Sequence, residues 1–173
     1  MAVRTMADGN IGVYVLTAAP AAQTGVPTVA ELTGGTDASC ETAKSGTYLR
    51  PTGSATVSDA PLCESGNSTD FGASNFEGQM APFTYFDAST GKYSAADSAA
   101  LEVLSTKGST VWIYFVEGVK PREGGVPEGG ERIYGGKWTT DTAQPGPVTG
   151  EYLKRIVPLG YSGGWIDTVI PTA

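Results

Sequence analysis

The chain of 173 residues is long enough to bury one core, and it fits a single domain spanning residues 1–173. Eighteen acidic against eleven basic side chains give a formal charge of −7 and a pI near 4.5, a surface that repels phosphates and argues against specific DNA or RNA binding. Histidine is absent, which excludes Ser-His-Asp and Cys-His nucleophile pairs, a histidine base and His-ligated zinc.

Glycine (24) and proline (11) are well above average usage, while the 40% apolar content supports a packed core with generous loops. Cys40 and Cys63 have no CxxC partner and cannot make a four-ligand metal site, so free, structural thiols are expected. No apolar run approaches the length of a membrane span. Ile11–Leu16 is too short for a secretory leader, so a protein made and used in a cytoplasm is expected.

Residues 1–9 read as a short N-terminal arm. NIGVYVLT (10–17) alternates with apolar groups on both faces, a strand pattern, and VPTVAEL (26–32) is a weaker strand candidate whose start Pro27 limits. Residues 33–78 carry almost no periodicity, with TYLR (47–50) and ATV (55–57) as the only short strand signals. Loops this long are rare in compact domains unless functional or disordered. Three readings stand side by side: a mobile insertion, an unrecognised hairpin, or an extension that orders only against a neighbouring subunit.

QMAPFTYFD (79–87) reads as a strand that Pro82 confines to an edge or bulge. Ser94, with Asp97 three residues on, fits a helix start. Ala96, Ala100, Leu101, Val103 and Leu104 then share one side, and Lys107 and Gly108 suit the end, giving one flanking helix over about 94–107. STVWIYFVEG (109–118) is the strongest strand; one face should meet the helix, the other a second sheet or another subunit.

The loop VKPREGGVPEGGE leads into RIYGGKWTT (132–140), where Gly135–Gly136 signals a bulge or a close backbone approach. YLKRIVPLGY (152–161), interrupted by Pro158, and WIDTVI (165–170) complete the strands. The fold class is α+β, mainly β: an antiparallel sandwich or incomplete barrel with one flanking helix and a long early loop.

Chemistry is sparse. GGVPEGGER lacks the Lys-Ser/Thr of a phosphate loop, and neither DGN (8–10) nor DAST (87–90) continues as a calcium loop. Asp87, Glu117, Asp141 and Asp167 are nominal glycosidase carboxylates that nothing in the sequence brings together. Trp112, Trp138 and Trp165 all fall in strands, where packing explains them better than ligand stacking. No cofactor, no metal and no enzymatic activity are expected.

One pattern does point to a role. From Asp59 to Tyr161 the chain runs through PLCE (61–64), FGASNFEG (71–78), the single helix, the TKGSTV junction (106–111) and RIVPLG (155–160). That order, with the apolar strand directly after the helix, resembles the major tail tube proteins of long, non-contractile-tailed bacteriophages. The first fifty residues match only loosely.

The resemblance implies a structural virion protein. Such proteins form hexameric rings that stack into a hollow tube for DNA ejection, through which genomic DNA passes without specific binding. It implies a tail location, assembly in the bacterial host cytoplasm, and partners that include further copies, a tape measure protein, a tail terminator and baseplate or tail-tip proteins. It favours the third reading of residues 33–78, as the loop that ties ring to ring, with residues 1–9 as a contacting arm. Asp37, Cys40, Glu41, Tyr48, Asp59, Phe71 and Phe76 are then the candidate inter-subunit residues. The alternative is a non-enzymatic β-sandwich binding or adhesion module displayed on a virion or cell.

Overall fold

The computed structural model describes residues 7, 9–57, 70–147 and 150–172. In chain order the elements are β1 (Ile11–Leu16), α1 (Val29–Gly34), β2 (Thr36–Asp37), β3 (Tyr48–Thr52), β4 (Thr56–Val57), β5 (Asp70–Phe71), β6 (Asn75–Met80), α2 (Ala99–Leu104), β7 (Thr110–Glu117), β8 (Arg132–Thr140), β9 (Gln144–Pro145) and β10 (Arg155–Val169). Eight strands make one antiparallel sheet ordered β2-β1-β7-β8-β10-β6-β3, with β9 beside β10, while β4 and β5 pair only with each other. The sheet does not close into a barrel, so the expected mainly-β, incomplete-barrel architecture is what the chain adopts.

β7 lies inside the sheet, between β1 and β8, because its residues are apolar on both sides. Val111, Ile113 and Phe115 join Val13, Val15, Met80, Trp138 and Leu159 in one core, which Ala100 and Leu104 of α2 complete. Tyr114 and Val116 face the other way, into a second core with Tyr14, Leu16, Ile133 and Ile170. The sequence reading gave that second face to another sheet or subunit. Instead Leu32 of α1 covers it within the same chain, and the Tyr114 hydroxyl donates to Gly25 O at 2.9 Å.

α1 stands where a weak strand was expected. Thr28 and Glu31 form a complete capping box: the Thr28 side chain accepts from Glu31 N, and the Glu31 carboxylate accepts from Thr28 N at 2.7 Å. Two satisfied N-terminal donors outweigh the modest strand preference of the valines. α2 lies inside the expected helical segment but starts later, after Ser98. Ser94 and Asp97 bond each other's side chains at 2.6 Å, and the cap comes from elsewhere. The Glu41 carboxylate accepts from Ala100 N at 2.7 Å, across 59 residues of sequence.

β10 is one strand of 15 residues, not the two expected at 152–161 and 165–170. The Pro158 carbonyl accepts from Asp141 N at 3.0 Å, just where β8 has ended at Thr140, so the missing proline N–H costs no bond to β8. Register shifts between Tyr161, Gly163 and Ile166 fold the strand over β8. There Gly136 is needed, because a Cβ on it would lie 2.9 Å from Gly164 O. Gly135 is tighter still, so the glycine pair marks a close approach, and β7–β8 pairing runs through it in unbroken register.

The expected strand at 79–87 contributes only Gln79 and Met80 to β6; beyond it come the single bridges Thr42↔Pro82 and Phe83↔Lys154. The described residues of 33–78 are largely structured. They contain β2, the β3–β6 hairpin and the β4–β5 ribbon, and β6 joins the main sheet by pairing with β10.

Candidate assembly surface

Three surface features stand out, and each is set by the sheet. The first is an arm. β3 and β6 pair from Tyr48↔Gln79 to Thr52↔Asn75, and the hairpin continues as the β4–β5 ribbon, Thr56↔Phe71. Glu77 pairs with Arg50 across the hairpin, and the Arg50 guanidinium lies 4.8 Å from the Tyr48 ring centroid. Such exposed pairs fix geometry more than they stabilise. Phe71 on the ribbon is 82% exposed, a large apolar side chain with little of its own chain against it.

The second feature is a half-buried aromatic run at the edge of the first core. Phe76 lies 4.3 Å from Tyr161 and 5.0 Å from Trp165, Trp165 lies 6.1 Å from Tyr134, and Tyr134 stacks on Phe115 at 5.3 Å. The bulged course of β10 is what brings Trp165 to this face. The third is a cleft of about 670 Å³ walled by Ile11, Val13 and Phe115 of the sheet and by Cys40, Ala43, Lys44 and Phe83. A crossing segment forms its outer wall. Ala38 N donates to Val13 O at 2.8 Å and Ala43 N to Ala81 O at 2.9 Å, so residues 38–43 bridge from the β1 edge to the end of β6.

The seven candidate inter-subunit residues divide among these places. Asp37 ends β2 and accepts from Ser39 N at 2.9 Å, and Glu41 caps α2, so both carboxylates serve their own chain. Cys40 is an exposed free thiol on the cleft wall. Tyr48 and Phe76 lie on the two strands of the arm, Phe71 on its outer ribbon. Asp59 lies outside the described residues, as do Cys63, the PLCE motif and all of the N-terminal arm but Ala7 and Gly9.

Sequence reasoning missed Tyr152, 83% exposed and edge-on to Phe83 at 6.0 Å, and the buried Lys154, which pairs with Glu151 and donates to Ser45 Oγ at 2.9 Å. Tyr152 opens the stretch 152–161 read as a strand, but β10 starts only at Arg155, which leaves Tyr152 in the preceding loop.

Several described ionisable groups are shifted away from neutrality. Hydrogen bonds from Ser89 and Thr90 hold Asp87 down to about 2, and burial raises Tyr14 to about 12. Asp141 is lowered by the Thr142 amide and Lys107. Groups driven away from neutrality are poor general acids or bases at neutral pH. Asp167 is held by Arg132 at 2.8 Å. Among the described residues no group of His, Cys, Asp or Glu could hold a metal ion, and no helix is long and apolar enough to cross a membrane.

No curated protein matches the chain. A family model described as phage tail tube protein matches residues 1–173, its whole length. That match implies a structural component of a phage tail that associates with itself and with other tail proteins. The chain belongs to the phage tail tube protein family.

Proposed function

We propose that this chain is the repeating subunit of a long, non-contractile tail, forming hexameric rings that stack into the hollow conduit for DNA ejection. What supports the finer reading is the arm: a hairpin leaving the sheet and carrying an apolar side chain, Phe71, that is 82% exposed. Large exposed apolar groups mark contact surfaces. Residues 33–78 then supply the ring-to-ring contact through their outer part, and residues 1–9 a second one. Subunits assemble in the host cytoplasm around a tape measure protein, between tail-tip and terminator proteins.

The acidity fits the conduit. Six copies at −7 bring roughly −42 to each ring, a field that keeps DNA moving rather than bound. Negative-stain electron microscopy at rising protein concentration tests the proposal. Hollow tubes of stacked rings are expected, and a monomer that persists at every concentration and with every tail-tip preparation refutes it. Removing residues 54–72 deletes the ribbon and tip but leaves β3, β6 and the core residue Leu49. The shortened chain is expected to fold and to form no tubes; normal tubes would overturn the role of the arm.

A further inference from the structure

We infer that residues 38–47, the crossing segment, form a strap that opens as one piece from an otherwise closed fold. While shut, it keeps the outer edge of β1 from pairing with a second copy of the chain.

The strap is held by hydrogen bonds more than by apolar burial. Of its side chains, Ala38 and Ala43 are the buried ones. β7 by contrast buries Val111, Ile113, Tyr114, Phe115 and Val116. Alanine carries a fraction of the apolar area of such side chains, and a hydrogen bond opened to solvent costs little net because water replaces the partner. Opening also returns backbone freedom to the whole segment at once. Segments built in this way open well below the free energy of global unfolding.

The fastenings join elements distant in sequence. Val13 N of β1 donates to Ser39 Oγ at 2.8 Å, and Ala38 N donates to Val13 O at 2.8 Å. Phe83 N donates to Glu41 O at 2.8 Å, while the Glu41 carboxylate accepts from Ala100 N at 2.7 Å. Ala81 N donates to Thr47 Oγ at 3.1 Å, and Lys154 Nζ to Ser45 Oγ at 2.9 Å. Glu41 thus ties residue 83 and the start of α2 to the same point of the strap, and its departure releases both.

What the strap covers is a strand edge. β2 pairs with Tyr14 and Val15 of β1, and the strap extends that cover by taking both backbone groups of Val13. β1 is flanked on its other side by the apolar strand β7. A bare edge on such a sheet is a template for another chain, and folded proteins cover it with a loop.

Hydrogen exchange of the unassembled chain, read amide by amide, tests the strap. The amides of Val13, Ala81, Phe83 and Ala100 lie outside it, on different elements, and each donates to it. With Ala38 and Ala43 they are expected to share one protection factor, at least about a hundredfold below that of the β7 amides. Ser45→Ala, at an exposed position, removes one fastening and leaves Lys154 paired with Glu151. All of these amides should then exchange faster together, by about two- to tenfold. Thr47→Val loosens the strap without touching Lys154 and should move the same set. Because the β1 edge is open only while the strap is, association followed by mass photometry should begin at a concentration lowered by the same factor.

Unequal protection among these amides, or a Ser45→Ala effect confined to the neighbours of Lys154, would overturn the single strap. A shared opening with no change in association would overturn its guarding role. Neither result touches the assembly reading, which is decided by whether the wild-type chain forms tubes.

Discussion

Gly135 offers the sharpest test of how the sheet is built. It lies in β8 opposite Tyr114 with φ +150°, and a Cβ placed on it would sit 2.0 Å from Ile113 O and 2.9 Å from Tyr114 Cα. Those obstacles are backbone in the central strand, so neither can swing aside. The backbone conformation alone costs a non-glycine residue about 1–3 kcal/mol, and overpacking adds about another 1–3 kcal/mol. Gly135→Ala should therefore lose about 2–6 kcal/mol, a large part of the ~5–15 kcal/mol that holds a domain together. At about 2–4 °C per kcal/mol for a chain of this size, Tm falls by roughly 4–24 °C. Gly160→Ala is the control. It is a strand glycine of the same sheet whose added Cβ meets nothing nearer than Thr139 O at 3.7 Å, so its Tm should hold or rise slightly as the unfolded chain loses freedom. Thermal melts and urea titrations of both variants read this directly. Equal melting of the two would refute the claim that close strand approach, and not composition, places a glycine at 135.

Other perturbations reach the two helices. Leu32 is fully buried and is the one buried side chain of α1, so Leu32→Ala should cost about 2–5 kcal/mol in denaturant titrations, and an unchanged midpoint would mean α1 does not cover the second core. Glu41→Ala leaves Ala100 N without its acceptor; a loss of about 0.5–2 kcal/mol is expected, with Glu41→Gln retaining part of it. Glu31 is held below its ordinary value of 4.5, first by the Thr28 amide and then by that of Ala21. A depressed carboxylate stabilises the fold above its unfolded pKa and loses that contribution as pH falls through the folded one. The Tm advantage of wild type over Glu31→Gln should thus shrink between about pH 5 and pH 3, and a gap constant with pH would remove the charge from the explanation.

What could be read in the sequence was what periodicity encodes. β7 alternates over its full length, and the small residues around Leu101 and Leu104 mark a helix, so both were legible. α2 came out shorter because Ser94 and Asp97 satisfy each other, leaving its cap to Glu41, a partner no local window contains. α1 was readable and missed: Thr28-x-x-Glu31 is a capping box in plain sequence, overshadowed by valines and prolines. The β3–β6 hairpin was hidden for a physical reason. β3 buries one side chain, Leu49, and its remaining residues, including Pro51, face outward or sit at the margin. With one face barely apolar there is no alternation to find. β10 was read as two strands; Pro158, which interrupts strands elsewhere, here lies where β8 ends, and the bulges between Tyr161 and Ile166 let one strand continue. Among the candidate contact residues, sequence could not separate Glu41 and Asp37, whose carboxylates bond within their own chain, from the exposed Phe71.

The placement of α1 changes the argument for assembly. Strands apolar on both faces imply a second cover, and a ring of neighbours was one way to supply it. Here Leu32, Val119 and Ile170 close the second face from within, and every side chain of that core is at most 5% exposed. Among the described residues, then, the second face needs no neighbouring subunit to cover it. Exposed apolar side chains lie outside both cores, among them Phe71 and Tyr152, while the aromatic run from Phe76 to Tyr134 borders the first core. A stable interface takes ~800 Å² from each partner, more than a single side chain such as Phe71 supplies. Single contacts of this size hold subunits weakly, while several engaged at once raise the effective concentration of the rest. Stability and association are thereby separated: core substitutions such as Leu32→Ala should lower Tm in proportion to burial, whereas Phe71→Asp should leave Tm of the unassembled subunit unchanged and abolish growth.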